Sequence, residues 1–285
     1  MTLQRAILLA LQISIVTTVF AFGLKARSDH VLHVLRQPSL LGRSFAAMFV
    51  IMPIVAVAIT RAFALTPAVE IALIALSISP IPPLLPGRDT KAGAHRAFAL
   101  GLMAITGLAS IVTVPVTLAI FGHYSAHPFA MSSAAIARVV LMMAVLPLAS
   151  GLTCLALWPS VAARIARPIY MVSRVLLVLA ALVLLVVGLP AAWALVGNGS
   201  LAAMIAFVAA GLAIGHWLGG PDANDRTVLA LSTASRHPAI ALSIAKANFP
   251  DEPRLGAAIV LFLLVNLVVG FAYLARRKRS SGADS

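Results

Sequence analysis

Apolar residues in this chain run in long blocks, without the alternation of a half-buried strand or the narrow stripe of a surface helix. Blocks of roughly 18 to 25 residues cover about 6–24, 41–60, 69–87, 97–121, 134–157, 169–188, 200–218, 226–247 and 255–275. A helix rises about 1.5 Å per residue, so about 20 apolar residues cross the roughly 30 Å of bilayer hydrocarbon. The pattern predicts an all-α polytopic membrane protein with nine transmembrane helices. Short connections predict a single transmembrane domain over 1–279, followed by a disordered cytoplasmic tail over 280–285.

Two blocks are interrupted. The third ends in Ser79-Pro80-Ile-Pro82-Pro83-Leu-Leu-Pro86-Gly87, and the eighth contains Pro238. Proline lacks an amide hydrogen and clashes with the preceding turn, so neither block can continue as a regular helix. Non-helical backbone at membrane depth persists only where it is buried in protein or lines a cavity, which predicts one site shared by the two breaks. The interrupted blocks are five spans apart, so the chain crosses in opposite directions at the two breaks. That is the arrangement of inverted repeats with two discontinuous crossing helices. On this reading spans one to four mirror spans six to nine, and span five belongs to a five-helix unit whose first copy lacks its first helix.

Composition agrees with a membrane setting: 61% of residues are hydrophobic, 10% are charged and the mean hydropathy is +1.04, which excludes an ordinary soluble domain. Of 21 Lys and Arg residues, fifteen fall on one face of the predicted topology, from Lys25 to the Arg276-Arg277-Lys278-Arg279 run. The other face holds Arg5, Arg61, Arg138, Lys246 and Arg254. Cytoplasmic loops hold the basic excess, so the amino terminus is expected outside and the carboxyl terminus in the cytoplasm, with a bacterial inner membrane as the setting. The net charge of +13 is spread over alternate loops and does not form a nucleic-acid face. The first span reads as an uncleaved signal-anchor. The single cysteine, Cys154, allows no internal disulfide.

One basic residue remains, Arg236, in the middle of the eighth block. Placing Arg at a span centre costs roughly 2.5–3.5 kcal/mol on insertion scales, which marks it as a functional candidate. The eight acids, Glu70 among them, all lie in loops or at span borders, so no carboxylate partner is evident at its depth. Two roles stay open: lining an anion site, or capping the carbonyls at the ends of the two first half-helices. His237 beside it either couples a proton or is a neutral, structurally bonded ring. His30 and His33 are three apart but have no further ligand nearby, so no metal and no cofactor are expected.

The chain resembles the bile acid:sodium symporter superfamily, which includes arsenite efflux carriers. The likeness rests on Phe22-Gly23-Leu24-Lys25, on Arg36-Gln37-Pro38, on Ser79-Pro80, and on Ser235-Arg236-His237-Pro238 with the Ala239-Ile240-Ala241-Leu242-Ser243-Ile244-Ala245 that follows. It extends from about residue 6 to 275. Membership implies two five-helix inverted repeats, here with nine helices, whose broken helices cross at the substrate and ion sites. Sodium-coupled members typically carry an acid in the second broken helix and a Gln-Asn pair four and five residues later; Ser232, Arg236 and His237 stand there in this chain. The family also places ion ligands in the fourth span, where Thr106 and Ser110 follow helical spacing.

The candidate substrate site therefore comprises Ser79, Pro80, Thr106, Ser110, Ser232, Ser235, Arg236, His237, Pro238 and Asn266. The expected activity is secondary transport or facilitation of a small organic anion by alternating access, with Arg236 in place of sodium. Sodium symport as in the family is the runner-up. Proton coupling through His237 is a further possibility. No phosphate-binding loop is present, and Ser235 and His237 lack a third group to orient them, so an enzyme is not expected. A non-transporting scaffold or sensor has no need of two aligned breaks.

Overall fold

A computed structural model describes residues 3–25, 33–82, 96–121, 134, 138 and 141–283. The described residues are helical and contain no strand. In order the helices are α1 (Leu3–Lys25), α2 (Pro38–Ala62), α3 (Pro67–Ile78), α4 (Arg96–Phe121), α5 (Leu141–Leu157), α6 (Pro159–Trp193), α7 (Ser200–Leu218), α8 (Ala223–Ala234), α9 (Pro238–Asn248) and α10 (Leu255–Ala283). Pro38, Pro67, Pro159 and Pro238 each open a helix, where a missing amide hydrogen costs nothing and φ is already set. At α8 Asp222 acts as N-cap, accepting from the amides of Asn224 at 2.7 Å and Asp225 at 3.0 Å.

Among the described residues, Pro38–Ala62, Ser200–Leu218 and Leu255–Arg277 are continuous helices long and apolar enough to cross a membrane. A fourth stretch, 97–118, bends by 58° at residue 111. Pro115 lies four residues beyond that point, where its ring meets the carbonyl of residue 111 and the helical bond is lost.

The helices fall into two packed groups. In one, α1 lies against α5 and α6. A side-chain carbon on Gly23 would meet the Gly151 Cα at 2.8 Å, and the reverse holds for Gly151, so the α1 and α5 backbones touch. Leu24, Ala162 and Ala166 fill the contact with α6, and Ser14 Oγ donates to the Ser173 carbonyl at 2.8 Å. The larger group builds the main core from α2, α3, α4 and α7–α10, with Met48, Met52, Phe98, Phe207 and Phe262 fully buried. At its centre every residue of α3 from Ala68 to Ile78 is buried, which suits a segment that is apolar on every side apart from Glu70 and Ser77. Gly211, Gly215 and Gly219 form a ridge on α7 that receives the α8 backbone at Ala234, Ala230 and Arg226. Trp158, Trp193 and Trp217 are exposed at helix ends, and Val172, Val175, Val178 and Leu179 are exposed along α6. Apolar flanks with tryptophans near the ends suit a lipid environment.

Several boundaries differ from the sequence reading. The third block is helical only to Ile78; residues 79–82 are extended, and Pro83, Pro86 and Gly87 lie outside the described residues. The sixth helix is much longer than 169–188, running from Pro159 through Pro168, because the Arg- and Ala-rich segment before that proline favours helix. The tail expected to be disordered over 280–285 continues α10 to Ala283. Ala275-Arg276-Arg277-Lys278-Arg279 are good helix formers, and cations suit a helix C-terminus. His30 lies outside the described residues.

Candidate functional site

Ser79 and His237 each precede a proline, and that neighbour disfavours helical φ/ψ. Both are extended, with ψ of 148° and 101°. The chain therefore leaves helix at 79–82 and again at 235–237. The two interruptions meet: the His237 amide donates to the Pro80 carbonyl at 2.9 Å.

Arg236 enters at this crossing and is only 1% exposed. Its Nη1 donates to the Ser79 carbonyl at 3.2 Å and its Nη2 to the Met48 carbonyl at 3.1 Å, while Nε has no partner among the described residues. Of the two roles left open, capping is seen at the first broken helix, since Ser79 closes α3. The second acceptor corrects the expectation that Arg236 would cap its own broken helix: the carbonyl belongs to α2.

The cause lies in the register of α2. Residues Ala46–Ile51 are wound as a π-helix, and the Met52 amide donates five residues back to Ala47. The next amide in that register is residue 53, which would reach Met48. Residue 53 is proline, so the Met48 carbonyl has no donor from its own helix and is open to the guanidinium. Single-turn π segments recur at functional positions. A second one, Leu141–Val145 in α5, is likewise followed two residues later by a proline, Pro147.

His237 caps the restart at α9. Its Nδ1 accepts from the Ile240 amide at 3.4 Å, so in the neutral ring Nε2 carries the hydrogen. Nε2 is buried without a partner among the described residues. Pro238 is the first residue of α9. Asn266 of α10 reaches the break by donating from Nδ2 to Ser235 Oγ at 3.2 Å.

The remaining candidates are buried but apart from this hydrogen-bonded set. Ser232 lies within α8. Thr106 donates to the Leu102 carbonyl at 2.7 Å and Ser110 to that of Gly107, both inside α4. Ser79 Oγ likewise turns back to Leu76 at 2.9 Å, so only its carbonyl faces the guanidinium.

A cavity of about 40 Å³ lies where the two helix groups meet. Val19, Phe22 and Leu148 line it from one group; Pro80, Ile81, Met103, Gly107, His237 and Ile240 line it from the other. That space admits water but falls well short of the several hundred Å³ of a small-molecule site. Farther along α4, α5 and α9, the buried side chains of Val114, Leu118, Met143 and Ile244, with Ile78, seal the same seam.

Sequence reasoning did not single out Met48, Pro53 or Leu148. Pro53 signals only that a carbonyl in the preceding turn lacks its helical donor; an α register would make it Phe49's, and the π turn makes it Met48's. Phe22 had been noted only as part of a motif.

An all-helical bundle with lipid-suited flanks and a buried cation where two interruptions cross belongs to the class of integral membrane transport proteins. The chain matches the Sodium Bile acid symporter family over residues 12–210 and belongs to that family. It is therefore a transporter of the bile acid symporter type, an integral membrane protein that moves a small solute across the bilayer. No curated protein matches it. The family match ends at residue 210, ahead of the break that carries Arg236.

Proposed function

We propose that the protein carries a small organic anion by alternating access, with Arg236 standing where sodium-coupled relatives bind their ion. The proposal includes nine spans in two inverted repeats, with the amino terminus outside and the carboxyl terminus in the cytoplasm of a bacterial inner membrane. One observation carries it: a guanidinium that is 1% exposed and held by two carbonyl oxygens, neither of them a carboxylate, at the meeting point of two interrupted helices. A dehydrated cation needs several oxygen ligands in place of its water. Here the Ser79 and Met48 oxygens are already taken by Arg236, and Ser232 replaces the usual acid. A second cation about 4 Å from the guanidinium meets roughly 4 kcal/mol of repulsion at an effective dielectric of 20. The residues therefore do not suit sodium. They suit an anion, which gains from the fixed charge, from the free Nε of Arg236 and from Nε2–H of His237.

The test is uptake into proteoliposomes of organic anions ranging from short monocarboxylates to a conjugated bile acid, with sodium and proton gradients imposed separately. Uptake indifferent to sodium is expected, and Arg236→Gln is expected to lower it at least tenfold, the loss of one charged hydrogen bond. Sodium-driven accumulation by the unmodified protein overturns the reading and restores sodium symport. Unchanged affinity in a folded Arg236→Gln variant removes the residue from the site.

A further inference from the structure

We infer that Pro53 is a positioning residue for Arg236, acting through the carbonyl of Met48. No contact between the two side chains is involved. Pro53 acts by removing a donor: the Met52 amide reaches Ala47, and the next amide in that π register is missing. Without it the Met48 oxygen can tilt out of α2 toward the crossing, where Nη2 of Arg236 takes it at 3.1 Å. Met48, Met52 and Arg236 are all at most 1% exposed, so no water competes for that oxygen.

The arrangement spans three separate parts of the chain. One planar guanidinium is spread over the end of α3 through Ser79 and the π turn of α2 through Met48, and a planar fork held at both tips has a fixed orientation. Nε is the one nitrogen of the group left without a partner among the described residues, and each Nη keeps its second hydrogen. Pro53 therefore helps to set the orientation in which Arg236 presents its remaining donors. Its effect on affinity rests on the anion reading above, whereas its coupling to Arg236 does not.

The coupling predicts a change of sign. Replacing a proline inside a helix normally strengthens that helix by restoring one bond. Pro53→Ala in the otherwise unmodified protein is expected instead to lower the melting temperature in detergent by about 2–4 °C, because the new amide draws the Met48 carbonyl back into the helix and strands a buried cation. In an Arg236→Met background the same substitution is expected to raise it by a similar amount. If Arg236→Met does not fold, Arg236→Lys replaces it with the same expected sign, since an ammonium cannot fork across both carbonyls. For the anion that the unmodified protein takes up fastest, Pro53→Ala is expected to raise KM about tenfold with little change in maximal rate. A shift of the same sign in both backgrounds overturns the coupling, whatever the uptake assay shows. A sign change with unaltered KM keeps the coupling and overturns only the link to binding.

Discussion

Gly215 has no room for a side chain: its added carbon would meet Ala230 Cα at 2.6 Å and the backbone of Leu229. Backbone cannot rotate away as a flexible side chain can, so Gly215→Ala must push α7 from α8 or fail. Overpacking of this kind costs about 1–3 kcal/mol. Thermal unfolding should show a drop of several degrees for Gly215→Ala and almost none for Gly42→Ala, whose added carbon has nothing within 4 Å. The α7 ridge follows from spacing alone, because small residues four apart leave a groove whatever the partner. Arg236 was legible for a related reason: a cation in an apolar block is costly wherever it points. Of its two acceptors, the Ser79 carbonyl at the first break could be anticipated and that of Met48 could not. Met48 is 188 positions away, and its availability depends on a π register that no side-chain pattern encodes.

At the level of whole elements, helix starts could be read and helix ends could not. A proline or a capping Asp fixes a start through local chemistry alone, as at Pro67, Pro238 and Asp222. The ends at Trp193 and Ala283 lie beyond the apolar blocks that end at 188 and 275, and no local stop signal marks them. Pro168 shows the limit, since it lies inside α6 without ending it. The cap at α8 gives a local test. Asp222→Ala removes the acceptor for two amides and is expected to lower stability by about 1 kcal/mol, with Asp222→Asn retaining most of it. The expected readout is faster hydrogen exchange at the amides of Asn224 and Asp225, leaving α9 unchanged.

For the molecule as a whole, the alternating access proposed above would place its motion at the seam between the two helix groups. The touching backbones at Gly23 and Gly151 bind α1 to α5, and the α7 ridge binds α7 to α8, so each group is stiff within itself. Between them, beside the packing of α6 on α10 at Gly188 and Val260, lie a small cavity and one apolar cluster. Met143 of α5 reaches across to α9, where Ser243 Oγ lies 3.8 Å from its sulfur. Under alternating access these two positions separate in each cycle. Cysteines placed at 143 and 243 in a Cys154→Ser background and joined by a short reducible thiol cross-linker are expected to stop uptake, with recovery on reduction. Continued uptake by the fully cross-linked protein excludes motion along this seam.

Among the described residues, Arg236 is held entirely by main-chain oxygens. Substituting Met48 or Ser79 by almost any residue changes the side chain and leaves both acceptors in place, and neither acceptor can be titrated at any pH the protein survives. Side-chain variation around the charge can alter the shape of the site and what enters it. Only a change in helix register, or loss of the arginine itself, releases the cation, so the charge of this site is set by the fold while its selectivity remains free to drift.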